Sequence, residues 1–176
     1  MIKPLKLITF VAVVSVFAVL TGCATPAQYQ SMIVKPTSVE QNPKLKGAIV
    51  VTNVSGGRKT EPLSLGISYV DNDGLRKALE GSLDAYGYLA GSFSKAQYKL
   101  DADLLDLKQT GLLAVTAKSV ISYKISSTDI VKKYQIEVSG IATVSDEFCG
   151  YKRLRMANER SIQANIKEFF KRLNSL

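Results

Sequence analysis

Hydrophobic and polar positions change period several times along this chain, and each change marks an element. Leu7 to Leu20 is an almost unbroken apolar run, interrupted only by Thr9 and Ser15. From Ala24 to Lys46 the pattern is lost. Pro26, Pro36 and Pro43 stand among Gln, Ser, Thr and Asn, and proline removes a backbone donor that helix and sheet both need. This stretch reads as a tether that, as a flexible coil, reaches roughly 25–30 Å, with the folded domain beginning near Gly47. Ala48 to Val54, "AIVVTNV", is β-branched and apolar and predicts a strand. "SGGRKTEPLSLG" is then a loop. Leu75, Ala78, Leu79, Leu83 and Tyr86 recur at helical spacing. Asp71 or Asn72 caps that helix, Asp73 lies in its first turn, and Gly87 suits a left-handed stop.

From Gln97 the period shortens to two. Tyr98, Leu100, Ala102 and Leu104 alternate with Lys99, Asp101 and Asp103, and the phase slips at Leu104-Leu105, which predicts a β-bulge. "QTGLL" turns the chain into a second alternating strand, Val115 to Ile125, with Ala117, Ile121 and Tyr123 on one face. "SSTD" is a hairpin turn, and Ile130 to Val144 is the third strand, with Tyr134, Ile136 and Val138 in phase. "SDEFCGY" breaks the pattern before a long amphipathic helix, Lys152 to Leu173, whose Ile162, Ile166, Phe169 and Leu173 fall in one arc. The order strand, helix, three strands, helix predicts an α+β two-layer sandwich: an antiparallel meander with both helices on one face.

The first apolar run is shorter than the roughly 20 residues a spanning helix needs. With Lys3 and Lys6 ahead of it, it reads as a secretory signal. It ends in Leu20-Thr21-Gly22-Cys23, which resembles the bacterial lipobox: aliphatic residue, small residue, glycine, cysteine. The resemblance implies cleavage between Gly22 and Cys23, a diacylglycerol on the Cys23 thiol and acylation of the new amine. Two or more chains anchor a protein stably where one does not. Cys23 is then an anchor and not a catalyst. Residue 24 is Ala where Asp tends to retain Gram-negative lipoproteins in the inner membrane, so the resemblance implies an outer-membrane protein facing the periplasm. The expected organisation is residues 1–22 removed, 23–46 an acylated tether, and 47–176 one periplasmic domain.

Loss of the leader leaves 154 of 176 residues, one ordinary domain with its tether. Lys3 and Lys6 leave with it, so 21 basic residues face 15 acidic ones, a net charge of +6. That balance favours anionic surroundings such as lipid headgroups, acidic glycans or an acidic protein face, and export argues against nucleic acid. The chain holds no histidine, which excludes Ser-His-Asp and Cys-His mechanisms. Cys149 is the second of two cysteines; it is expected to be buried as a small apolar residue, the alternative being a bond to another chain.

Asp101, Asp103 and Asp106 invite comparison with a carboxylate site, since Asp101 and Asp103 share a strand face about 7 Å apart. A solvated strand face is the plainer explanation, and the closely spaced oxygens of a calcium loop are missing. Ser55-Gly56-Gly57-Arg58-Lys59 lacks phosphate-loop spacing. No cofactor or metal site is expected. The last helix is more suggestive. Arg153, Arg160 and Lys167 are spaced by sevens, with Lys171 in the same arc, roughly opposite Ile162 and Phe169. This stripe is either a solvated face or a surface for an anionic partner. Arg155 lies nearer the apolar side, and either pairs with an acid or marks where the helix truly begins.

"LRKALEGSLDAYGYL", the alternating strands and "RLRMANERSIQANIKEFFKRL" together resemble small Gram-negative envelope lipoproteins, in particular the YajG-like family. There a helix ending in Gly-Tyr, here Gly87-Tyr88, precedes a meander, and the final helix carries an alanine and an Asn-Ile pair, here Ala157 and Asn165-Ile166. The element order is also similar to the lipoprotein that plugs the outer-membrane LPS translocon and to auxiliary lipoproteins of ABC-type lipid transporters. The resemblance brings no catalytic motif. It implies a non-enzymatic binding or assembly accessory of the envelope. The alternatives are a periplasmic carrier of a lipid or other small amphiphile, and an envelope hydrolase using Asp101 or Asp103.

Overall fold

Strands β2 (Tyr98–Thr110), β3 (Ala114–Ser126) and β4 (Val131–Thr143) form the antiparallel meander that their alternation predicts. The computed structural model describes residues 26–36, 41–60 and 68–175. Strand β1 (Ile49–Ser55) lies parallel to β2, so the sheet order is β1-β2-β3-β4. Parallel neighbours require a crossover connection, and helix α2 (Asn72–Ala85) lies within it. Helix α3 (Gly150–Asn174) covers β3 and β4 on the same face, and a one-turn helix, α1 (Tyr29–Met32), lodges between α2 and α3. The fold is the expected α+β sandwich, with the mixed pairing of β1 added.

The local signals act as read. Asp71 caps α2 by accepting the Gly74 N–H at 2.7 Å, and Gly87 takes a φ of 69° after it. Pairing of β2 with β3 skips Leu105, because Leu104 faces Ile121 and Asp106 faces Val120. The bulge buries Leu104 and turns Leu105 outward, 50% exposed. It also brings Gln109 round to the helices, where its Nε2 donates to Asn158 at 3.0 Å. A second irregularity, at Thr52 in β1, has no sequence signal. There Arg76 of α2 donates to the carbonyls of Val51 (3.0 Å) and Thr52 (3.2 Å).

Between the layers, Leu100, Ile121, Tyr123 and Ile125 meet Ile162, Ile166, Phe169 and Leu173, all buried. Phe169 stacks on Tyr123 at 4.1 Å and 10°, with Phe170 edge-on to it at 5.9 Å. A polar seam crosses this core. Asn165 donates to the carbonyls of Ile136 (2.9 Å) and Ser119 (3.3 Å) and accepts from the Tyr123 hydroxyl (3.0 Å). Burial pushes the Tyr123 phenol well above its usual range, so it serves as a donor. Polar groups satisfied only at one helix position fix the register of α3 on the sheet, where an apolar interface would let it slide.

Residues 26–36 and 41–46 differ from the tether expected of them. Met32, Val34 and Leu45 are buried in the main core. The Val34 N–H donates to Ser82 of α2 at 2.9 Å, and Gln163 of α3 donates to the Ile33 carbonyl at 3.0 Å. Further on, Asn42 is tied to Tyr88 and Asn174. The prolines forbid long regular elements but not a strap whose apolar residues fill the groove between α2 and α3. The folded part therefore begins ahead of Gly47.

Candidate functional site

Gly22 and Cys23, the expected cleavage and lipidation positions, lie outside the described residues, as does the whole expected leader. What the structure gives is where the described chain begins. The Ala27 N–H reaches the Tyr69 carbonyl at 3.4 Å, just ahead of α2, and the Gln28 N–H donates to Glu159 Oε1 of α3 at 2.8 Å. Glu159 is buried beside Arg155, whose Nε lies 3.5 Å from Oε1, so Arg155 finds its expected acid. Burial raises the Glu159 carboxyl above its usual value, opposed by the Gln28 N–H and the Arg155 charge. The strap thus starts beside the third turn of α3, in the half of the molecule toward the β2–β3 turn. It runs down to Asn42 and Asn174 at the other end.

The four basic residues of the expected stripe on α3 do not form one surface. Arg153 points into the protein, 5% exposed. Its Nη1 donates to the carbonyls of Glu147 (2.7 Å) and Phe148 (3.0 Å), and its Nη2 to that of Leu112 (2.8 Å). The helical wheel places Arg153 opposite Phe169, but two loops fold over the first turn of α3 and enclose it. Arg160 is exposed but engaged, with both guanidinium nitrogens on Asp146 (2.8 and 3.0 Å) and one on the Ile141 carbonyl (2.7 Å). The guanidinium holds the Asp146 carboxyl well below the usual carboxylate range. Lys167 and Lys171 remain on the outer face, Lys171 3.3 Å from Glu168.

The carboxylates of β2 lie on the sheet face away from the helices, each with a local partner. Asp101 accepts from Thr52 Oγ1 at 2.5 Å and sits 3.7 Å from Lys124 Nζ. Asp103 accepts from Ser55 Oγ at 2.8 Å, and Asp106 lies 3.0 Å from Lys108 Nζ. Among the described residues no three acidic or cysteine side chains are grouped to hold a metal ion. Changing Asp101 and Asp103 together to Asn preserves acceptors for both hydroxyls. The double variant is expected to unfold within about 1 kcal/mol of the parent, since surface changes of this kind cost about 0.5 kcal/mol each. Loss of cellular function in that folded variant would assign the pair a chemical role.

Near Asp106 a cavity of about 110 Å³ opens among Gly56, Arg58, Tyr69, Val70 and the bulged residues 104–107. It is small against the roughly 300–1,000 Å³ of ordinary ligand sites. Cys149 is half-buried and not enclosed as expected, because it precedes α3 in a surface loop. Sequence reasoning passed over the apolar residues of "QTGLL" and "SDEFCGY" as turn material. Two consecutive leucines in a turn were the available signal.

No protein-family model matches the chain, and no curated protein matches it significantly. Solved structures do. A Xanthomonas campestris protein of the family designated DUF330 superposes with a TM-score of 0.51 at 16% identity, covering 81% of this chain and 98% of its own. A Caulobacter crescentus protein, described as a candidate lipoprotein, superposes with a TM-score of 0.50 at 16% identity, covering 75% and 91%. At such identities the likeness speaks for architecture: this chain shares the α+β fold of these two bacterial proteins.

Proposed function

We propose that this chain is an envelope lipoprotein, anchored by acyl chains on Cys23 in the outer membrane and facing the periplasm, whose domain binds an envelope component and carries out no chemistry. The observation that carries the reading is Leu20-Thr21-Gly22-Cys23 at the end of the signal-like apolar run, just ahead of the strap. Ala24 in place of Asp favours the outer membrane. The resemblance to YajG-like lipoproteins agrees in class, and the fold shared with a candidate lipoprotein is compatible with it. A hydrolase is disfavoured because the sheet aspartates are committed to Thr52, Ser55 and Lys124. A lipid carrier is disfavoured because Phe169, Phe170 and Tyr123 fill the space between sheet and helices where a chain would lie. Cys23→Ser removes the acyl acceptor. The variant is expected to keep its leader and to leave the outer-membrane fraction; normal processing and fractionation would overturn the reading.

A further inference from the structure

We infer that the end of the domain formed by the β2–β3 turn and the β4–α3 loop dips into the lipid leaflet that carries the anchor. The inference rests on the lipoprotein reading and adds to it which face of the domain meets the membrane.

Large apolar side chains crowd this end. Leu112 is 80% exposed, Leu113 71%, Phe148 87% and Tyr151 45%. A surface aromatic or leucine alone means little, but a contiguous apolar patch on a soluble domain marks an interaction surface. These residues come from two separate loops, and the structure holds the loops together. The buried Arg153 guanidinium takes the Leu112 carbonyl from one loop and the Glu147 and Phe148 carbonyls from the other. Gly111 makes the first turn tight, with a φ of 91° and no room for a Cβ, which would stand 2.0 Å from the Ala114 carbonyl oxygen. Two fixed loops displaying leucine and phenylalanine outward form a built apolar surface.

The occupant follows from where the described chain begins and how few residues separate that point from Cys23. The strap begins in this half of the molecule, with Ala27 on Tyr69 and Gln28 on Glu159, about 12 Å along α3 from Tyr151. Only Ala24, Thr25 and Pro26 separate Cys23 from Ala27, and those four steps span at most about 14 Å. An acylated Cys23 therefore cannot let the domain stand far from the bilayer or turn its other end toward it. The surroundings suit a headgroup layer. Tyr151 belongs to the aromatic class that favours the interface. Lys152 beside it is an exposed cation for anionic headgroups. Amphipathic elements of this kind settle about 5–10 Å into the boundary between headgroups and acyl chains.

The chain has no tryptophan, so one introduced indole reports alone. The full-length acylated protein carrying Phe148→Trp is incorporated into vesicles of phosphatidylethanolamine and phosphatidylglycerol containing lipids brominated high on the acyl chain. Phe93→Trp, 60% exposed ahead of β2 at the opposite end, is the reference. Both proteins should float with the vesicles. The indole of Phe148→Trp should emit further to the blue and be quenched at least about twofold more than that of Phe93→Trp, as burial at the acyl boundary requires. Equal quenching in floating protein would overturn the inference while leaving the anchor intact, and would turn the apolar end toward a protein partner. Failure to float would overturn the anchor reading and the inference with it.

Discussion

Gly140→Ala should destabilise the domain by about 3 kcal/mol, the upper end of the usual cost of overpacking. Gly140 sits in β4 beneath α3, and a Cβ there would lie 2.3 Å from the Ser161 nitrogen and 2.6 Å from the Ala157 carbonyl oxygen. Both are helix backbone atoms, so no side chain can swing aside. The helix must lift as a unit, and it is held down by Asn165 on Ile136 and by Ser161 on Val138 at 3.0 Å. Gly91→Ala is the control, because nothing lies within 4 Å of its added Cβ; it should stay within about 0.5 kcal/mol. Denaturant midpoints of the two variants decide the matter. A Gly140→Ala midpoint equal to that of Gly91→Ala would mean that α3 does not cross β4 at this distance.

The second large effect is expected at Phe169. Its ring is fully buried, stacked on Tyr123 and edge-on to Phe170 and Tyr134. Phe169→Ala leaves a cavity that these three neighbouring rings cannot close, at about 3–5 kcal/mol. For a domain of this size that lowers the thermal midpoint by about 10 °C or more. It should also weaken the seam, because the Tyr123 hydroxyl that donates to Asn165 is positioned by the same stack. A melt shifted by only a few degrees would show that the layers meet elsewhere. Since domains of this kind are stable by only about 5–15 kcal/mol, either substitution should reduce the amount of protein in cells.

The fold was legible wherever burial alternates with a single period. The meander, both long helices, the bulge at Leu104-Leu105 and the stop at Gly87 follow from local pattern, because one face of each element is solvated and the other is not. The parallel pairing of β1 was not legible, since a short apolar strand carries no mark of its neighbour's direction. The strap was hidden because Met32, Val34 and Leu45 have no common period; they fill gaps between elements already formed. The basic stripe failed for a related reason. A helical wheel knows the core side of α3 but not the loops from residues 111–113 and 144–149 that fold over its first turn and claim Arg153. Arg160 lies where the wheel puts it, yet Asp146, fourteen residues earlier, takes up its charge. In the candidate site, the proposed anchor is a motif of consecutive residues, whereas the apolar end is assembled by tertiary contacts that bring Leu112 and Phe148 together.

The central claim is that Cys23 carries the lipid that holds this domain in the envelope. It is tested most directly by the mass of the amino-terminal peptide of the mature protein isolated from membranes. The account predicts a chain that starts at Cys23 and bears two or more fatty acyl chains. A mature terminus elsewhere, or a Cys23 with a free thiol in membrane-bound protein, would contradict it.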